Sequence, residues 1–391
     1  MRKPHCMDND YLLKHQNVDV AQFSINRSYN RINYLKILDE RFSPVNMEED
    51  NLSQAISFND WLSERCVPNS REGVARLLSK YKVEQIKQLM LYMKGLSLSD
   101  HFWIDRTPFN QKWENINMFD NRYDELMGQL LFDQKLKLVQ SAENYQGQSP
   151  ELTTGGSLRK HWTYKEVEHK SYLLKAGSKK DYQEPFNEYF SHLLSEELGF
   201  THTPYLLEKQ GKEYVSVCPC IADNKTEMVS AADIIRKYGV EKSYNAFVQF
   251  GQQKGCINFK DEVNQMIILD YLIDNIDRHW YNFGMLRDAQ DGSWKGLIPI
   301  FDNGYSLWNK DYVDSRIISE SQSFADSNED CMKLLDITKY VKHIPNMVQL
   351  FERAFDCYPL PERKKEIRQG LIERVRDIER YFDESLKRQI N

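Results

Sequence analysis

A short polar segment, NIDRHWYNFG at positions 275–284, interrupts an otherwise apolar run and contains side chains suited to chemistry. Asp277 is able to accept a proton from a hydroxyl group, and Asn282, five residues later, is able to place its side-chain oxygen on a metal ion. By itself this arrangement is common, and it is also consistent with a charged turn between two structural elements. Its function therefore depends on what the rest of the chain places beside it.

A second acid follows 25 residues after Asp277. The segment LIPIFDNGYSLW places Asp302 directly after an apolar strand and just before an Asn-Gly pair. Between the two acids, FGMLRDAQDGSWKGLIPIF predicts a β-hairpin that turns near Asp291-Gly292. Such a hairpin would bring both carboxylates to one end, where they could share a Mg²⁺ ion and a nucleotide.

Upstream, a glycine pair and a lysine supply groups that bind phosphate. Gly155 and Gly156 precede a strand-like stretch, and glycine lets the backbone approach a polyphosphate closely, although such pairs are also common in simple turns. Lys175 ends the apolar strand SYLLKAGS, where it either binds phosphates or directs its ammonium to solvent. Glu188 in the following helix is placed to hold Lys175 by an ion pair. Glu184 is a competing partner, interpreted as a helix cap.

Together these residues predict a phosphoryl-transfer site, because such a site needs backbone N–H groups, a lysine, a proton acceptor and metal ligands. The five-residue separation of Asp277 and Asn282 is that of the acid and the amide in the kinase catalytic loop, H-R-D-x-x-x-x-N. Asp302 takes the place of the metal-binding Asp in D-F-G. We interpret Asp277 as the proton acceptor and Asn282 and Asp302 as Mg²⁺ ligands. His279 either positions the loop, contacts the γ-phosphate or only packs, and the role of Arg278 is left open.

The composition predicts a globular protein of two or three lobes. With 391 residues the chain exceeds the usual size of one hydrophobic core, and 41% of its residues are hydrophobic. The formal net charge is −6, so we expect no general attraction to nucleic acid or to an anionic membrane. The N-terminus lacks the apolar core of a signal peptide and no run approaches the length of a membrane span, which predicts a cytoplasmic protein.

The cysteines favour free thiols in a reducing compartment over a disulfide framework, because they are odd in number and scattered. The seven are Cys6, Cys66, Cys218, Cys220, Cys256, Cys331 and Cys357. Cys218-Pro-Cys220 is a single C-x-C without a second pair, so it does not indicate a zinc site.

The pattern of apolar residues divides the chain into three predicted parts. Residues 1–145 are predicted to form a mainly helical N-terminal domain in which residues 1–50 are partly extended, and the polar stretch SAENYQGQSPE at 141–151 is a candidate linker. Residues 146–225 alternate strand, helix and strand, which is typical of a compact small lobe that binds nucleotide. Residues 226–391 are predicted to be a catalytic helical lobe. The predicted fold class is α+β, with a two-lobed protein-kinase-like core behind the helical domain.

The spacing of apolar residues predicts several helices. FNDWLSERC places Phe58, Trp61 and Leu62 on one face, and EPFNEYFSHLLSEELG has Pro185 in its first turn and Gly199 at its end. The last predicted helix, 362–388, has apolar residues at steps of three or four and a charged face that we interpret as solvated.

The residues of the predicted site resemble those of HipA-like serine/threonine kinases, whose C-terminal lobe is related to phosphoinositide 3/4-kinases. DNIDRHWYNFG and PIFDNGYSLW are similar to the catalytic loop and the metal-binding segment of that family, and LLKAGS with QEPFNEYFSHLLSEELGF is similar to its nucleotide lysine and following helix. The similarity covers about residues 150–310. It implies ATP and Mg²⁺ as cofactors, Lys175 for the phosphates, Asp277 as catalytic base, and Asn282 and Asp302 as Mg²⁺ ligands.

The resemblance also implies roles for two further segments. The loop TTGGSLRKHW, with Gly155, Gly156 and Ser157, would cover the nucleotide, and the strand VSVCPCI, with Cys218 and Cys220, would be the hinge that meets adenine through backbone groups. The loop of the family typically contains a serine that becomes autophosphorylated. Here the candidates are Thr153, Thr154 and Ser157.

In that family some members are toxins of toxin–antitoxin pairs and phosphorylate components of the translation machinery. The resemblance thus implies ATP, a protein substrate and a regulatory antitoxin-like protein as partners. The acidic net charge predicts no direct contact with nucleic acid or membrane. Residues 1–150 do not look like the small β-rich N-terminal subdomain of the best-known members, so antitoxin binding and substrate choice are not carried over.

The leading hypothesis is an ATP- and Mg²⁺-dependent kinase that acts on Ser or Thr of a protein. One alternative is a small-molecule or lipid kinase on the same scaffold, since D-R-H-x-x-N is also the phosphoinositide-kinase form of the loop; the acidic charge argues against a membrane substrate. Another is an interaction module that binds nucleotide without catalysis, against which the retention of every expected polar group argues. A nucleotidyl transferase with the same parts is left open.

Overall fold

The computed structural model describes residues 10–106, 111–133, 148–309, 312–314, 322–324, 330, 335 and 338–390, without the side chains of 381–390. Within these residues the chain forms helices and antiparallel sheets, so the predicted mixed fold class is confirmed. In this described part, no helix is both long and apolar enough to cross a membrane, and no cysteine is in a disulfide.

The first part of the chain forms a four-stranded antiparallel sheet. Its strands are β1 (Asp10–His15), β2 (Val18–Ile25), β3 (Ile32–Ile37) and β4 (Phe102–Asp105), in the order β3-β2-β1-β4. Tyr11 pairs with Phe23 and Leu13 with Ala21, and all four side chains are buried because alternate residues face the core. Strands β1 to β3 agree with the expectation that residues 1–50 are partly extended, whereas β4 lies in a part predicted to be helical and contradicts the prediction of a mainly helical domain over residues 1–145. Pairing of β1 with the distant β4 is a tertiary event that local periodicity does not reveal.

Within the described residues, four α-helices accompany this sheet. They are α1 (Asn51–Glu64), α2 (Val74–Tyr81), α3 (Ile86–Tyr92) and α4 (Leu126–Phe132). Phe58, Trp61 and Leu62 are buried on one face of α1, as their spacing predicts. Asp50 caps α1 by accepting hydrogen bonds from the N–H groups of Leu52 at 2.9 Å and of Ser53 at 3.1 Å.

The middle of the chain alternates strands and helices. In chain order these are β5 (Lys160–Lys165), β6 (Lys170–Ala176), α5 (Glu184–Leu198), β7 (Leu206–Gln210), β8 (Glu213–Pro219), β9 (Thr226–Ser230) and α6 (Ala231–Tyr238). The predicted strands at SYLLKAGS and YVSVCPCI are thus confirmed as β6 and β8. Pro185 lies in the first turn of α5 and Gly199, with φ of 69°, ends it in the left-handed region, both as predicted.

Helices dominate the last part. The elements are α7 (Tyr244–Gln253), α8 (Phe259–Ile273), β10 (Gly284–Asp288), β11 (Trp294–Leu297), α9 (Met347–Ala354) and α10 (Pro361–Ile390). The predicted hairpin is confirmed, since the Asp288 N–H donates to the Ser293 carbonyl at 2.7 Å and the Gly292 N–H to the Asp288 carbonyl at 3.0 Å. The predicted final helix is confirmed as α10, in which Ile367 and Leu371 are buried.

The described chain divides into two compact units, neither of which is one continuous stretch. The first comprises Met1–Leu174, Cys220–Val240 and Leu286–Ser293, and the second comprises Lys175–Pro219, Glu241–Met285 and Trp294–Asn391. The predicted boundary at 225/226 lies inside the Cys220–Val240 segment of the first unit. The predicted boundary at 145/146, and most of the candidate linker, lie outside the described residues. The two-lobed kinase-like arrangement stays a prediction.

The second unit has an aromatic core between α5 and α9. The Phe190 ring meets the edge of the Phe351 ring with centroids 6.1 Å apart, and the Phe186 and Phe355 centroids are 5.5 Å apart. Because these rings are buried, they fix the orientation of α5, whose other face contributes to the site described next.

Candidate active site

Lys175, at the end of β6, is buried and contacts two carboxylates of the second unit. Its Nζ donates to Glu188 Oε1 at 2.9 Å and to Asp302 Oδ1 at 2.7 Å, and lies 3.4 Å from the Tyr205 hydroxyl. Burial by itself lowers the pKa of Lys175, but the charges of Asp302 and Glu188 outweigh it and hold the pKa well above its ordinary value. Lys175 is therefore a fixed cation, and its predicted ion pair with Glu188 is present.

Glu188 lies in the second turn of α5 and uses both carboxylate oxygens. Oε1 accepts from Lys175, and Oε2 accepts from the N–H of Asn303 at 2.9 Å. Burial raises the pKa of Glu188, and Lys175 opposes that shift. Glu184 was predicted to cap this helix, but it lies one position inside it and accepts from the Ser178 N–H at 2.9 Å and hydroxyl at 3.2 Å. Glu184 thus holds the loop before α5 instead.

The start of α5 also holds the segment that follows Asp302. The amide of Asn187 donates to the carbonyls of Gly304 at 2.8 Å and Ser306 at 2.7 Å. One turn earlier, the amide of Gln183 donates to the carbonyl of Leu307 at 2.9 Å. Asn187 and Gln183 are both fully buried, so these bonds are shielded from water and fix the path of the chain after the acid.

Asp302 has a left-handed backbone, with φ of 58°, that is uncommon for residues other than glycine. Its N–H donates to the Tyr205 hydroxyl at 3.2 Å, and the next N–H, that of Asn303, is held by Glu188. These bonds compensate the unfavourable backbone and direct the carboxylate toward Lys175. The side chain of Asp302 is 34% exposed, so a ligand can reach it.

The loop with Asp277 and Asn282 is closed by its own hydrogen bonds. The Asn282 amide nitrogen donates to the Asp277 carbonyl at 2.8 Å, and the Asn282 N–H donates to the His279 carbonyl at 2.8 Å. Because the amide nitrogen is used within the loop, the side-chain oxygen of Asn282 is the atom suited to a metal ion. His279 Nε2 lies 3.9 Å from Asp277 Oδ1, and its Nδ1 accepts from the Tyr281 N–H at 3.2 Å.

Arg278 connects this loop to the segment of Asp302. It is buried, and its Nε and Nη2 each donate to Asp270 at 3.0 Å. Its Nη1 donates to the carbonyls of Asn282 at 2.8 Å and Phe301 at 2.6 Å, and Nη2 also donates to the side-chain oxygen of Asn303. Burial lowers the pKa of Arg278, but Asp270 outweighs it and raises the pKa above its ordinary value. The guanidinium thus joins both loops.

Backbone hydrogen bonds reinforce that connection. The Ile276 N–H donates to the Tyr305 carbonyl at 3.0 Å, and the Leu307 N–H donates to the Ile273 carbonyl at 2.8 Å. Of the predicted residues, the structure therefore brings Lys175, Glu188 and Asp302 into direct contact and ties the Asp277–Asn282 loop to the segment of Asp302 through Arg278 and the backbone.

The predicted glycine loop belongs to the first unit. Arg71 donates to its carbonyls, those of Thr154 at 2.5 Å and Gly156 at 2.7 Å, and also to that of Gly155. Gly156 has φ of 83°, which glycine adopts readily. Burial lowers the pKa of Arg71 to about 10. The arginine fixes the shape of this loop, which continues into Ser157.

The predicted hinge is divided between the units. Cys220 belongs to the first unit, where its N–H donates to the Ser171 carbonyl at 2.8 Å and its thiol to the Leu98 carbonyl at 3.1 Å. That N–H is therefore already used within the protein, whereas the resemblance implied a contact to adenine. Cys218 belongs to the second unit, and burial raises the pKa of its thiol to about 11, so it stays protonated.

The sequence interpretation missed two residues that organise the site, Tyr205 and Asp270, and left the role of Arg278 open. Asp270 gave a usable signal, because an acid within the apolar stretch MIILDYLI must find a partner when that helix is buried. Arg278, eight residues later, is that partner. Tyr205 gave no such signal, since a single tyrosine after a helix is common.

Fold and site together define a mixed α/β protein with a buried lysine–carboxylate centre. Its structure is similar to that of HipA from Shewanella oneidensis MR-1, solved with HipB and operator DNA of a toxin–antitoxin system, with 11% identity over 93% of this chain and 96% of that chain and a TM-score of 0.59. It is also similar to the proinflammatory kinase CtkA of Helicobacter pylori, with 18% identity over 55% of this chain and 89% of that chain and a TM-score of 0.41. No family model and no curated protein matches the sequence. The likeness to HipA shows that this chain has the HipA fold, which confirms the resemblance at the level of the fold.

Proposed function

We propose that this protein is an ATP- and Mg²⁺-dependent kinase that phosphorylates a Ser or Thr hydroxyl of a protein. The observation behind this proposal is that Arg278 ties the loop of Asp277 and Asn282 to Asp302, which is itself paired with Lys175. A proton acceptor, two oxygen ligands and a lysine are the parts that phosphoryl transfer needs. The HipA fold supports the same class.

The donor set suits the proposed cofactors. The Asp302 carboxylate and the Asn282 amide oxygen are the hard oxygen ligands that Mg²⁺ prefers, and a bound Mg²⁺ ion would neutralise phosphate charge. Lys175 would contact the phosphates, because its charge is secured by Glu188 and its position by β6. Glu188 therefore acts as a positioning residue and stays hydrogen-bonded to Lys175 throughout.

Asp277 would accept the proton of the acceptor hydroxyl. Its side chain is 35% exposed, so a hydroxyl on a protein surface can reach it. As that proton moves to the Asp277 carboxylate, the hydroxyl oxygen bonds to the γ-phosphorus, and the bond from this phosphorus to the β–γ bridging oxygen breaks. His279 lies beside Asp277 and adds a polar group next to the transferred phosphoryl group.

The test distinguishes transfer of the γ-phosphate of ATP from transfer of its α-phosphate. Purified full-length chain is incubated with Mg²⁺ and ATP labelled at either the α or the γ position. We expect transfer of the γ label, with loss of transfer in Asp277→Asn and Asp302→Asn and retention in Asp356→Asn, a matched change at an exposed aspartate. Transfer of the α label would indicate nucleotidyl transfer instead. Normal transfer by Asp302→Asn would contradict the site assignment.

The proposal also covers the molecule that accepts the phosphoryl group and a protein that regulates the kinase. Because HipA was solved with HipB, we propose a regulatory antitoxin-like protein partner for this chain and a protein substrate in the cytoplasm. Direct contact with nucleic acid or a membrane is not part of it. Separating the labelled products of a cell extract tests this, since a protein band supports the proposal, whereas label in the small-molecule or lipid fraction favours the alternative kinases.

A further inference from the structure

A second group of metal-binding side chains lies in the second unit, apart from the residues of the proposed kinase site. His192, Glu196 and His202 each direct one ligand atom into a region in which all three atoms are within 4.8 Å of one another. His192 Nδ1 and His202 Nε2 are 2.8 Å apart, and His202 Nε2 is 4.0 Å from Glu196 Oε1. Two imidazoles and a carboxylate are a ligand set that zinc uses in proteins.

The sequence places these three side chains together through the end of α5. His192 and Glu196 are separated by four residues, so they lie on one face of the helix. Gly199 then turns the chain back in the left-handed conformation, and its N–H donates to the Glu196 carbonyl at 3.2 Å. His202 follows three residues later and thus returns alongside the last turn of the helix.

The position of His202 is fixed by the backbone on both sides. The Thr203 N–H donates to the Ile300 carbonyl at 2.9 Å, and the Ile300 N–H donates to the Thr201 carbonyl at 3.1 Å. The side chain of His202 is only 10% exposed. A ligand held in this way loses little conformational freedom when a metal binds.

The hydrogen bonds of His202 also select its tautomer. Its Nδ1 lies 2.8 Å from the carbonyl of Phe200, which only accepts, so Nδ1 carries the proton. The lone pair is then on Nε2 and points at His192. A backbone carbonyl behind a metal-binding imidazole is the usual arrangement that orients such ligands.

We propose that His192 Nδ1, Glu196 Oε1 and His202 Nε2 form a Zn²⁺ site with a water molecule as fourth ligand. The two ring nitrogens would separate to about 3.3 Å, as tetrahedral geometry with zinc–nitrogen bonds of about 2.0 Å requires. When the metal binds, neutral His192 changes tautomer by proton exchange with solvent: Nδ1 loses its proton and Nε2 takes one up, so the ring binds the metal as a neutral imidazole. Glu196 is exposed, so water can reach the site. The site uses none of Lys175, Asp277 or Asp302 and does not depend on the proposed kinase activity.

One neighbouring charge bears on the affinity. Arg353 on α9 acts on His192 electrostatically, and a positive charge there disfavours a cation. With three protein ligands and this charge, we expect weaker binding than at a structural zinc site with four protein ligands.

Zinc binding is measured on the full chain without an affinity tag, after treatment with EDTA and in the presence of excess Mg²⁺. Competition with a chromophoric chelator gives stoichiometry and affinity, and Co²⁺ substitution reports coordination through its visible absorption. The variants are Glu196→Gln, which changes an exposed side chain and leaves folding intact, and His202→Ala. The matched control is His343→Ala, which removes a histidine paired with Glu197 at 2.8 Å elsewhere in the same unit.

We expect one Zn²⁺ per chain for the unchanged protein and for His343→Ala. Both site variants should bind at least about tenfold more weakly, since even loss of an outer partner of a zinc ligand costs about 10- to 100-fold in affinity. The visible absorption of tetrahedral Co²⁺ should be absent in both site variants. If Glu196→Gln binds Zn²⁺ as the unchanged chain does, or if the unchanged chain binds none, the proposal is wrong.

Discussion

Arg278 and Asp270 form a buried ion pair in which two guanidinium nitrogens each lie 3.0 Å from a carboxylate oxygen. The same guanidinium donates to Asn282 and Phe301, so one residue joins the two loops on which the proposed chemistry depends. A buried pair of this kind adds little net stability compared with apolar residues of the same volume, but it is costly to break. Its value lies in the geometry that it imposes.

Arg278→Met should therefore reduce the free energy of unfolding by about 3–5 kcal/mol, because it leaves the Asp270 carboxylate buried without its cation. Urea denaturation followed by circular dichroism measures the change. The double variant Arg278→Met with Asp270→Leu should recover much of the lost stability while phosphoryl transfer stays absent. The matched control is Arg380→Met, which breaks an exposed pair with Asp377 and should cost less than about 1 kcal/mol. Equal effects of the two single changes would contradict the assigned role.

Glu188→Gln should lower kcat about 10²-fold with a smaller change in stability. The amide keeps the shape of the carboxylate and can still accept a hydrogen bond, but it no longer attracts the Lys175 ammonium, which then remains bound to Asp302. Steady-state phosphorylation of the acceptor measures kcat and KM for ATP. Glu197→Gln, the same change further along α5, should leave both constants unchanged. Unaltered kinetics for Glu188→Gln would show that the pair has no part in the reaction.

His279→Ala should lower kcat at least about tenfold and change the free energy of unfolding by less than about 0.5 kcal/mol. The reason is that His279 is 39% exposed and lies 3.9 Å from Asp277 Oδ1, so it borders the reacting groups and contributes little to packing. Activity and urea denaturation are measured on the same preparation. A large loss of stability with kcat preserved would instead assign His279 to packing.

The buried carboxyl of Glu151 should make the free energy of unfolding of the first unit depend on pH. It is buried, and burial raises its pKa from 4.5 to about 7, although its Oε1 accepts from the Trp162 N–H at 2.8 Å. The folded chain thus keeps a proton between these two pH values that the unfolded chain releases. Stability from this group is present below pH 4.5 and is lost as pH rises to about 7, by up to about 3 kcal/mol.

Glu151→Gln removes that dependence, because an amide does not titrate. Urea denaturation at pH 5 and at pH 8 should show a smaller loss of stability with rising pH for this variant than for the unchanged chain. Glu48→Gln, at an exposed position, should behave like the unchanged chain. An identical pH dependence of the Glu151 variant would show that the carboxyl is ionised in the folded protein.

Local order was largely predictable from the sequence. The period of α1, the Pro185 and Gly199 boundaries of α5 and the hairpin between β10 and β11 depend on interactions between residues close in the chain. The same holds for the spacing of Asp277 and Asn282. Each was visible because turn and cap residues have few alternative conformations.

What the sequence by itself determined is therefore the helices, the hairpin, and the polar residues of the proposed phosphoryl-transfer site. Only the tertiary structure decided that β1 pairs with β4, that Arg278 unites two loops, and that His202 returns to His192. The physical reason is that burial of a charge or pairing of a strand is satisfied by whichever distant partner the fold brings near. Such partners leave no periodic signal in the chain, so they become visible only once it is folded.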